Sequence, residues 1–339
     1  MITEFRMQSI ARIAALALLV ACKATEQPTI PTHLSFEAQP TASVTSTQPL
    51  GIVTVVMMTA DGRRAVAGTG NVQISLMSND GESHLSGAQS SQAADGVATF
   101  SDLSVDKAGT AYRLVATAVG LDSAMSQPFS VVVGPAARLR FDAAIGSQLA
   151  GNPMPPVSVS VTDAGGNLVT AATASIRLSD SPGTLYGTTT APAVNGTAVF
   201  SDLSIQKSMG NSLLASAPNL VSATSNIFFV QPLRCSEVGI RSQPSDTRIG
   251  TPLPAIVVYC ADVYGNPPSL PPAGSLTVTA ALGINPTGAT LSGTTTASGF
   301  GIWTEFDSLI VDKPGTGYTL TVSSAGLASG TTKAFNILP

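Results

Sequence analysis

The chain has 339 residues with a formal net charge of −4; 11% of residues are charged, 44% hydrophobic and 5% aromatic. The mild, dispersed negative charge gives nucleic acid no basic surface to bind. No apolar run after residue 21 approaches the ~18 residues needed to span a bilayer. The hydrophobic residues are also too many, and alternate too regularly, for a disordered chain.

Met1 to Ala21 reads as an export signal, with Arg6 and Arg12 as the positive start and residues 13–20 as a short apolar stretch. The segment ends in Leu19-Val20-Ala21-Cys22, which resembles the lipobox of bacterial lipoproteins. That resemblance implies cleavage before Cys22 and lipidation of its thiol, a step for which a thiolate is the nucleophile. It also implies more than one acyl chain, as stable anchoring requires. Lys23 stands where an Asp would, in that family, retain the protein at the inner membrane. The implied destination is therefore the outer membrane of a Gram-negative envelope, on its surface or periplasmic side. Residues 22–32 carry Pro28 and Pro31 without apolar periodicity and read as a lipidated tether.

Beyond the tether the chain repeats. Phe100-Ser101-Asp102-Leu103-Ser104 recurs letter for letter as Phe200-Ser201-Asp202-Leu203-Ser204, and more loosely as Phe306-Asp307-Ser308-Leu309-Ile310. A period of about a hundred residues is too long for a solenoid and suits one β-sandwich per copy. The expected fold is all-β, with three tandem immunoglobulin-like sandwich domains at 33–133, 134–231 and 232–339.

The first copy opens on Phe36, alternates through Val53, Val55 and Met57, turns at Asp61-Gly62 and resumes at Ile74 and Leu76. In the second, Leu139 and Phe141 open; Val157, Val159 and Val161 then alternate with Ser158, Ser160 and Thr162, predicting a strand with one buried side. Asp163-Ala164-Gly165-Gly166-Asn167 is a turn, because Gly and Asn accept the backbone angles a tight reversal needs. Strands follow at Ile176–Leu178, Leu185, Ala198–Phe200, Leu213-Leu214 and Phe228–Val230. In the third, Ile256 and Val258 lead to Asp262-Val263-Tyr264-Gly265-Asn266, which aligns with 163–167. Tyr112 and Tyr318 fall where a tyrosine corner would close onto upstream backbone; the second copy has Ser212 near that position.

This alternating Val strand, Asp-x-x-Gly-Asn turn, Phe-Ser-x-Leu element and closing Phe strand together resemble the bacterial Ig-like domains of invasin- and intimin-type surface proteins. The likeness covers nearly all of 33–338. It implies the sandwich fold, and a role as spacer or adhesive module.

Cys235 and Cys260 are the cysteines left after Cys22. They are expected to form a disulfide, which an oxidising envelope compartment permits, between an opening strand and the inward position that Val161 holds in the second copy. His33 and His84 both lie in the first copy, far in sequence from this pair, and read as surface or turn residues. Asp163, Asn167, Asp262 and Asn266 could offer oxygens to calcium, but each loop supplies one carboxylate and the simpler expectation is a self-stabilised turn. No metal site and no cofactor is expected.

No catalytic set is expected either. Ser204-Ile205-Gln206-Lys207 matches Ser-x-x-Lys, but its register is repeat grammar, reading Ser104–Lys107 and Ile310–Lys313 in the other copies. No nucleophile elbow accompanies a His, paired carboxylates are scarce, and the Gly-rich turns carry no Walker Lys. Trp303, the one tryptophan, alternates with Thr304 and Phe306 and should point outward, to cover an interdomain edge or contact a partner.

The sequence therefore predicts a non-enzymatic, lipid-anchored envelope protein: a rod on the order of 100 Å if three sandwiches stack end to end. Pro135 and Pro232 at the junctions should limit hinge freedom. The expected partners are the membrane, through the lipid, and an extracellular protein or glycan, as spacer and adhesion module or as binding subunit of a surface complex.

Overall fold

The computed structural model describes residues 30–77, 82–181, 184–268, 275–300 and 303–339. The export segment, Cys22 and the tether up to residue 29 lie outside these. Among the described residues every element is a strand, and three separate buried cores lie within 34–131, 139–230 and 238–337.

Each core is closed by two layers. In the second copy one layer sets Val157–Thr162 between Arg138–Phe141 and Thr197–Phe200, all antiparallel. The other joins Gln148–Leu149, Phe228–Gln231 and Gly210–Asn211, continuing through Leu213–Ser216 to Ser175–Asp180 and Thr190–Pro192. The third copy repeats both layers, with Ile256–Ala261 between Glu237–Ile240 and Trp303–Phe306 in the first. In the first copy Gly109–Ala118 runs unbroken, and a parallel bridge from His33 to Asp122 ties the layers along one edge. Inward residues of the facing layers interdigitate as sandwiches require.

The repeated pentapeptide has one physical job in all copies. Phe100, Phe200 and Phe306 are buried and pair across the ladder with Val53, Val157 and Ile256. Burying such a side chain contributes about 1.5–3 kcal/mol. Leu103, Leu203 and Leu309 are equally buried, and their carbonyls accept the N–H of Leu50, Met154 and Leu253, each at 2.7 Å. Asp102 and Asp202 accept the N–H of Ala88 and Thr188, and Ser308 that of Thr294. The preceding Gly87, Gly187 and Gly293 have φ of 97°, 104° and 94°, and a Cβ there would strike the carbonyl oxygens of Asp102, Asp202 and Ser308 at 2.4, 2.4 and 1.9 Å. Only glycine fits such a turn.

Three details depart from the sequence reading. Ser160 and Thr162 are buried although they alternate with the inward valines. Ser160 donates to Asp142 (2.9 Å) and pairs with Thr197 (3.0 Å), so hydrogen bonding satisfies the outer face. Cys235 lies two residues before Glu237–Ile240, outside the opening strand. The residue at the second copy's corner is Asn211, which pairs with Phe228 as Tyr112 pairs with Phe129 and Tyr318 with Phe335; it is not Ser212.

The last shift has a backbone cause. Tyr112 and Tyr318 donate to the carbonyls of Lys107 (3.2 Å) and Lys313 (3.0 Å), forming tyrosine corners. Each is preceded by a residue of positive φ, Ala111 (62°) or Gly317 (83°), where the ladder slips register. The second copy lacks that extra residue. Ala111 therefore holds a left-handed conformation that costs an L-residue about 1–2 kcal/mol. Ala111→Gly is expected to raise stability by ~0.5–1 kcal/mol, read as a higher urea midpoint; Gly317→Ala should lower it by about 1 kcal/mol.

Candidate functional site: the junction clamps and the Trp303 face

The turns 163–167 and 262–266 sit against the preceding copy. Asp163 is fully buried there. Its Oδ2 accepts the Ser46 hydroxyl (2.6 Å) and the Gly134 N–H (2.8 Å), both from upstream segments, while Oδ1 accepts the N–H of Asn167 (2.9 Å). Asn167 then reads the backbone of the first copy with both ends of its amide: Oδ1 accepts the Ala108 N–H (2.9 Å) and Nδ2 donates to the Asp106 carbonyl (2.8 Å). Lys107 closes the set by donating to the Gly165 carbonyl (3.0 Å).

The second junction repeats the clamp. Asp262 accepts the N–H groups of Leu233 (3.0 Å), Tyr264 (2.9 Å) and Asn266 (2.9 Å). Asn266 accepts from the Ser208 N–H (3.0 Å) and donates to the Gln206 carbonyl (2.7 Å), and Lys207 reaches the Tyr264 carbonyl at 2.6 Å. Here the Ser46 contribution is replaced by Tyr264, which packs against the second core. Lys207, the lysine of the Ser-x-x-Lys match, is thus a junction residue.

Burial alone would raise the carboxyl pKa of Asp163; the bonds from Ser46, Gly134 and Asn167 outweigh it, and the value lies below the ordinary one. Asp262 behaves the same way: burial raises it, and Asn266, Leu233 and Tyr264 more than compensate. The oxygens that calcium would need are occupied by N–H and O–H donors. Among the described residues no cluster of three or more His, Cys, Asp or Glu side chains gathers at either junction.

The clamp residues change where the neighbour changes. In the first copy Thr59 and Arg63 occupy the positions of Asp163 and Asn167, because Thr59 N–H bonds the Arg63 carbonyl as Asp163 bonds Asn167. Their side chains turn to Asp61 instead, Arg63 at 3.5 Å. At the far rim of the third copy Pro314 replaces Ala108 and Ser208 and has no N–H to offer, while Lys313 donates to Gly288 within its own copy (2.7 Å).

The remaining sequence-predicted residues lie in the third copy. Cys235 and Cys260 form a disulfide with Cα atoms 5.6 Å apart; Cys260 pairs with Val238 as Val161 pairs with Leu139. Trp303 points outward, since Thr304 and Phe306 are buried; Ile302 lies outside the described residues. Its indole packs on Tyr259 (centroids 4.9 Å, 40° between planes), and the Arg241 guanidinium lies 4.8 Å from its centre. Both of these neighbours belong to the third copy, and the Tyr259 hydroxyl donates to the Gly265 carbonyl in the 262–266 turn (3.1 Å). Trp303 also borders an open hollow of about 540 Å³ with Val257, Thr294, Thr296, Ser298 and Glu305. Of the histidines, His84 lies 3.5 Å from Asp106, and His33 Nδ1 lies 3.0 Å from the Thr32 hydroxyl, both at the surface of the first copy.

No protein-family model and no curated protein matches this sequence. Solved structures similar to the chain include FdeC, an Escherichia coli adhesin, at 17% identity over 91% of this chain and 96% of that one, with a TM-score of 0.28. They also include InvD of Yersinia pseudotuberculosis (13%, 86% and 95%, TM-score 0.29) and three fibronectin-type domains of chicken CNTN1 (12%, 91% and 97%, TM-score 0.31). Likeness at this level, spread across bacterial and animal chains, carries no argument about activity.

Two outcomes follow from the geometry. A carboxyl with a depressed folded pKa contributes stability that is full above its unfolded value near 3.9 and lost as pH falls through the folded one. Junction order, read by small-angle scattering, should hold from about pH 7 to 5 and loosen below about pH 4. Asp163→Ala or Asp262→Ala should loosen one junction at neutral pH by ~1–3 kcal/mol, because buried donors lose their acceptor and the clamp amide, Asn167 or Asn266, loses the carboxylate that aims it. Reducing the Cys235–Cys260 bridge, or Cys260→Ser with Cys235→Ser, should destabilise the third copy alone by ~3 kcal/mol, read as an earlier urea transition.

Proposed function

We propose that the chain is a non-enzymatic, lipid-anchored protein of the cell envelope, whose sandwiches form a stiff spacer that carries adhesive contacts away from the membrane. The observation that carries this reading is the pair of junction clamps. Each spends a buried carboxylate, an amide and a lysine on fixing one copy against the next, which is what a load-transmitting spacer needs and a loose string of domains does not. Anchoring through Cys22 follows from the lipobox resemblance, and it gives the spacer a fixed end. Outer-membrane placement follows from Lys23.

A second reading, a carbohydrate- or protein-binding subunit of a surface complex, is favoured by the Trp303 face alone. The hollow beside Trp303 holds a single carboxylate, Glu305, among Thr and Ser hydroxyls.

Protease shaving of intact cells tests the proposal. Wild-type chain displayed outward is expected to release fragments, and Cys22→Ala should leave the membrane fraction for the soluble one. Retention of Cys22→Ala on the membrane would sink the lipid anchor.

A further inference from the structure

The third copy differs from the other two on one face. Across the ladder Tyr259 pairs with Trp303, where the second copy pairs Ser160 with Thr197 and the first pairs Val56 with Val97. The Tyr259 ring lies over Gly239, whose missing Cβ would stand 2.4 Å from it; the second copy has Arg140 there. Arg241 stacks on the indole, in the register that Asp142 holds in the second copy. Four substitutions, Gly239, Arg241, Tyr259 and Trp303, thus cooperate to build a held aromatic surface; Tyr259 also donates to the Gly265 carbonyl of the 262–266 turn (3.1 Å), while Trp303 and Arg241 lie on its outer side.

Beside that surface lies the hollow of about 540 Å³. Its size falls in the range of small-ligand sites, roughly 300–1,000 Å³. Its polar groups are the exposed Glu305 carboxylate, the exposed hydroxyls of Thr294, Thr296 and Ser298, the last two also paired with Thr279 and Thr277, and the buried hydroxyl of Thr304. A pyranose ring presents an apolar C–H face and a rim of equatorial hydroxyls. The indole suits the first, while Glu305 and the Thr and Ser hydroxyls suit the second. One cation, Arg241, and one anion, Glu305, balance at this face, which favours an uncharged sugar over a uronic or sialic acid.

We infer that the Trp303 hollow of the third copy binds a neutral pyranose at the end of, or within, a glycan chain. This rests on Trp303 being a contact residue and is independent of the spacer and its anchor, which protease shaving tests separately.

Trp303 is the one tryptophan of the chain, so its emission reports this site without labelling. The full chain after Cys22 would be titrated with lactose, cellobiose and N,N′-diacetylchitobiose to about 50 mM, since small stacked sugars bind weakly. At least one is expected to give a saturable shift in emission. Glu305→Gln, an exposed substitution that leaves the fold alone, should weaken that response by about fivefold or more, and Trp303→Ala should abolish sugar line-broadening in NMR. The inference is overturned if no sugar saturates, or if binding survives both substitutions unchanged. A stronger response to sialyllactose than to lactose overturns the neutral class.

Discussion

A carboxylate removed from water at each junction is the constraint on which the rest of the molecule depends. Taking Asp163 and Asp262 out of solvent is costly unless their lone pairs are filled. Asp163 takes one donor, Ser46, from across its joint, whereas Asp262 is filled by Leu233, Tyr264 and Asn266 and holds Asn266 toward Ser208 and Gln206 of the second copy. Ser46 and Gly134 reach Asp163 from upstream segments, and Asn167 reaches it from its own turn. Asp163 keeps its full set of donors only when the first two copies stand in this orientation. A tilt that separates them costs Asp163 its Ser46 donor, and at the second joint it breaks the Asn266 and Lys207 bonds to the neighbouring copy, so hydrogen-bond direction opposes the tilt at both. The prolines beside it restrict the covalent link, but a link alone does not fix rotation about itself.

Inside each copy the same economy recurs at smaller scale. One pentapeptide places a Phe ring in the core, gives a Leu carbonyl to the strand opposite and uses Asp or Ser to cap a glycine turn. Five consecutive residues thus tie the two layers together, and a ring pairing with Val53, Val157 or Ile256 sets the register. Register set this way matters to the junction, since a slip by one residue would exchange every inward side chain with its outward neighbour and carry the 163–167 turn out of reach.

Much of this was legible in the sequence because it follows from period and repetition. Alternating valines, recurring Phe-Ser-Asp-Leu and glycine turns gave the strands, and the inward position of Cys260 followed from its alignment with Val161. The corner at Asn211 was displaced by one because the slip at Ala111 and Gly317 leaves no mark in composition; only the pairing with Phe228 reveals it. The junction clamps were missed for a different reason. Asp-x-x-Gly-Asn is a good turn on local grounds alone, so its partners on another copy were invisible. The signal was present all the same: the first copy, with no copy packed against its turn in the described residues, carries Thr59 and Arg63 instead. A local preference would have been kept in all three; a junction requirement appears in two. Tyr259 under Trp303 escaped because residues forty-four apart meet only once the ladder is known.

Differences between copies therefore carry more functional meaning than their likeness. Where all three agree, as at Phe100, Phe200 and Phe306, the residue serves the sandwich. Where two agree, as at Asp163 and Asp262, it serves the contact between sandwiches. Where one departs alone, the change belongs to that copy and not to the shared sandwich. Arg241, Tyr259 and Trp303 depart together, on strands that are neighbours in space and not in sequence, and Gly239 gives up a side chain to make room. Exposed aromatic rings lose part of their hydrophobic benefit to water, and an Arg stacked on one adds only ~0.5–1 kcal/mol at an exposed site. Tyr259 also ties its strand to the 262–266 turn through the Gly265 carbonyl, which leaves the Trp303 and Arg241 pair as the part of the cluster that the proposed sugar site would use.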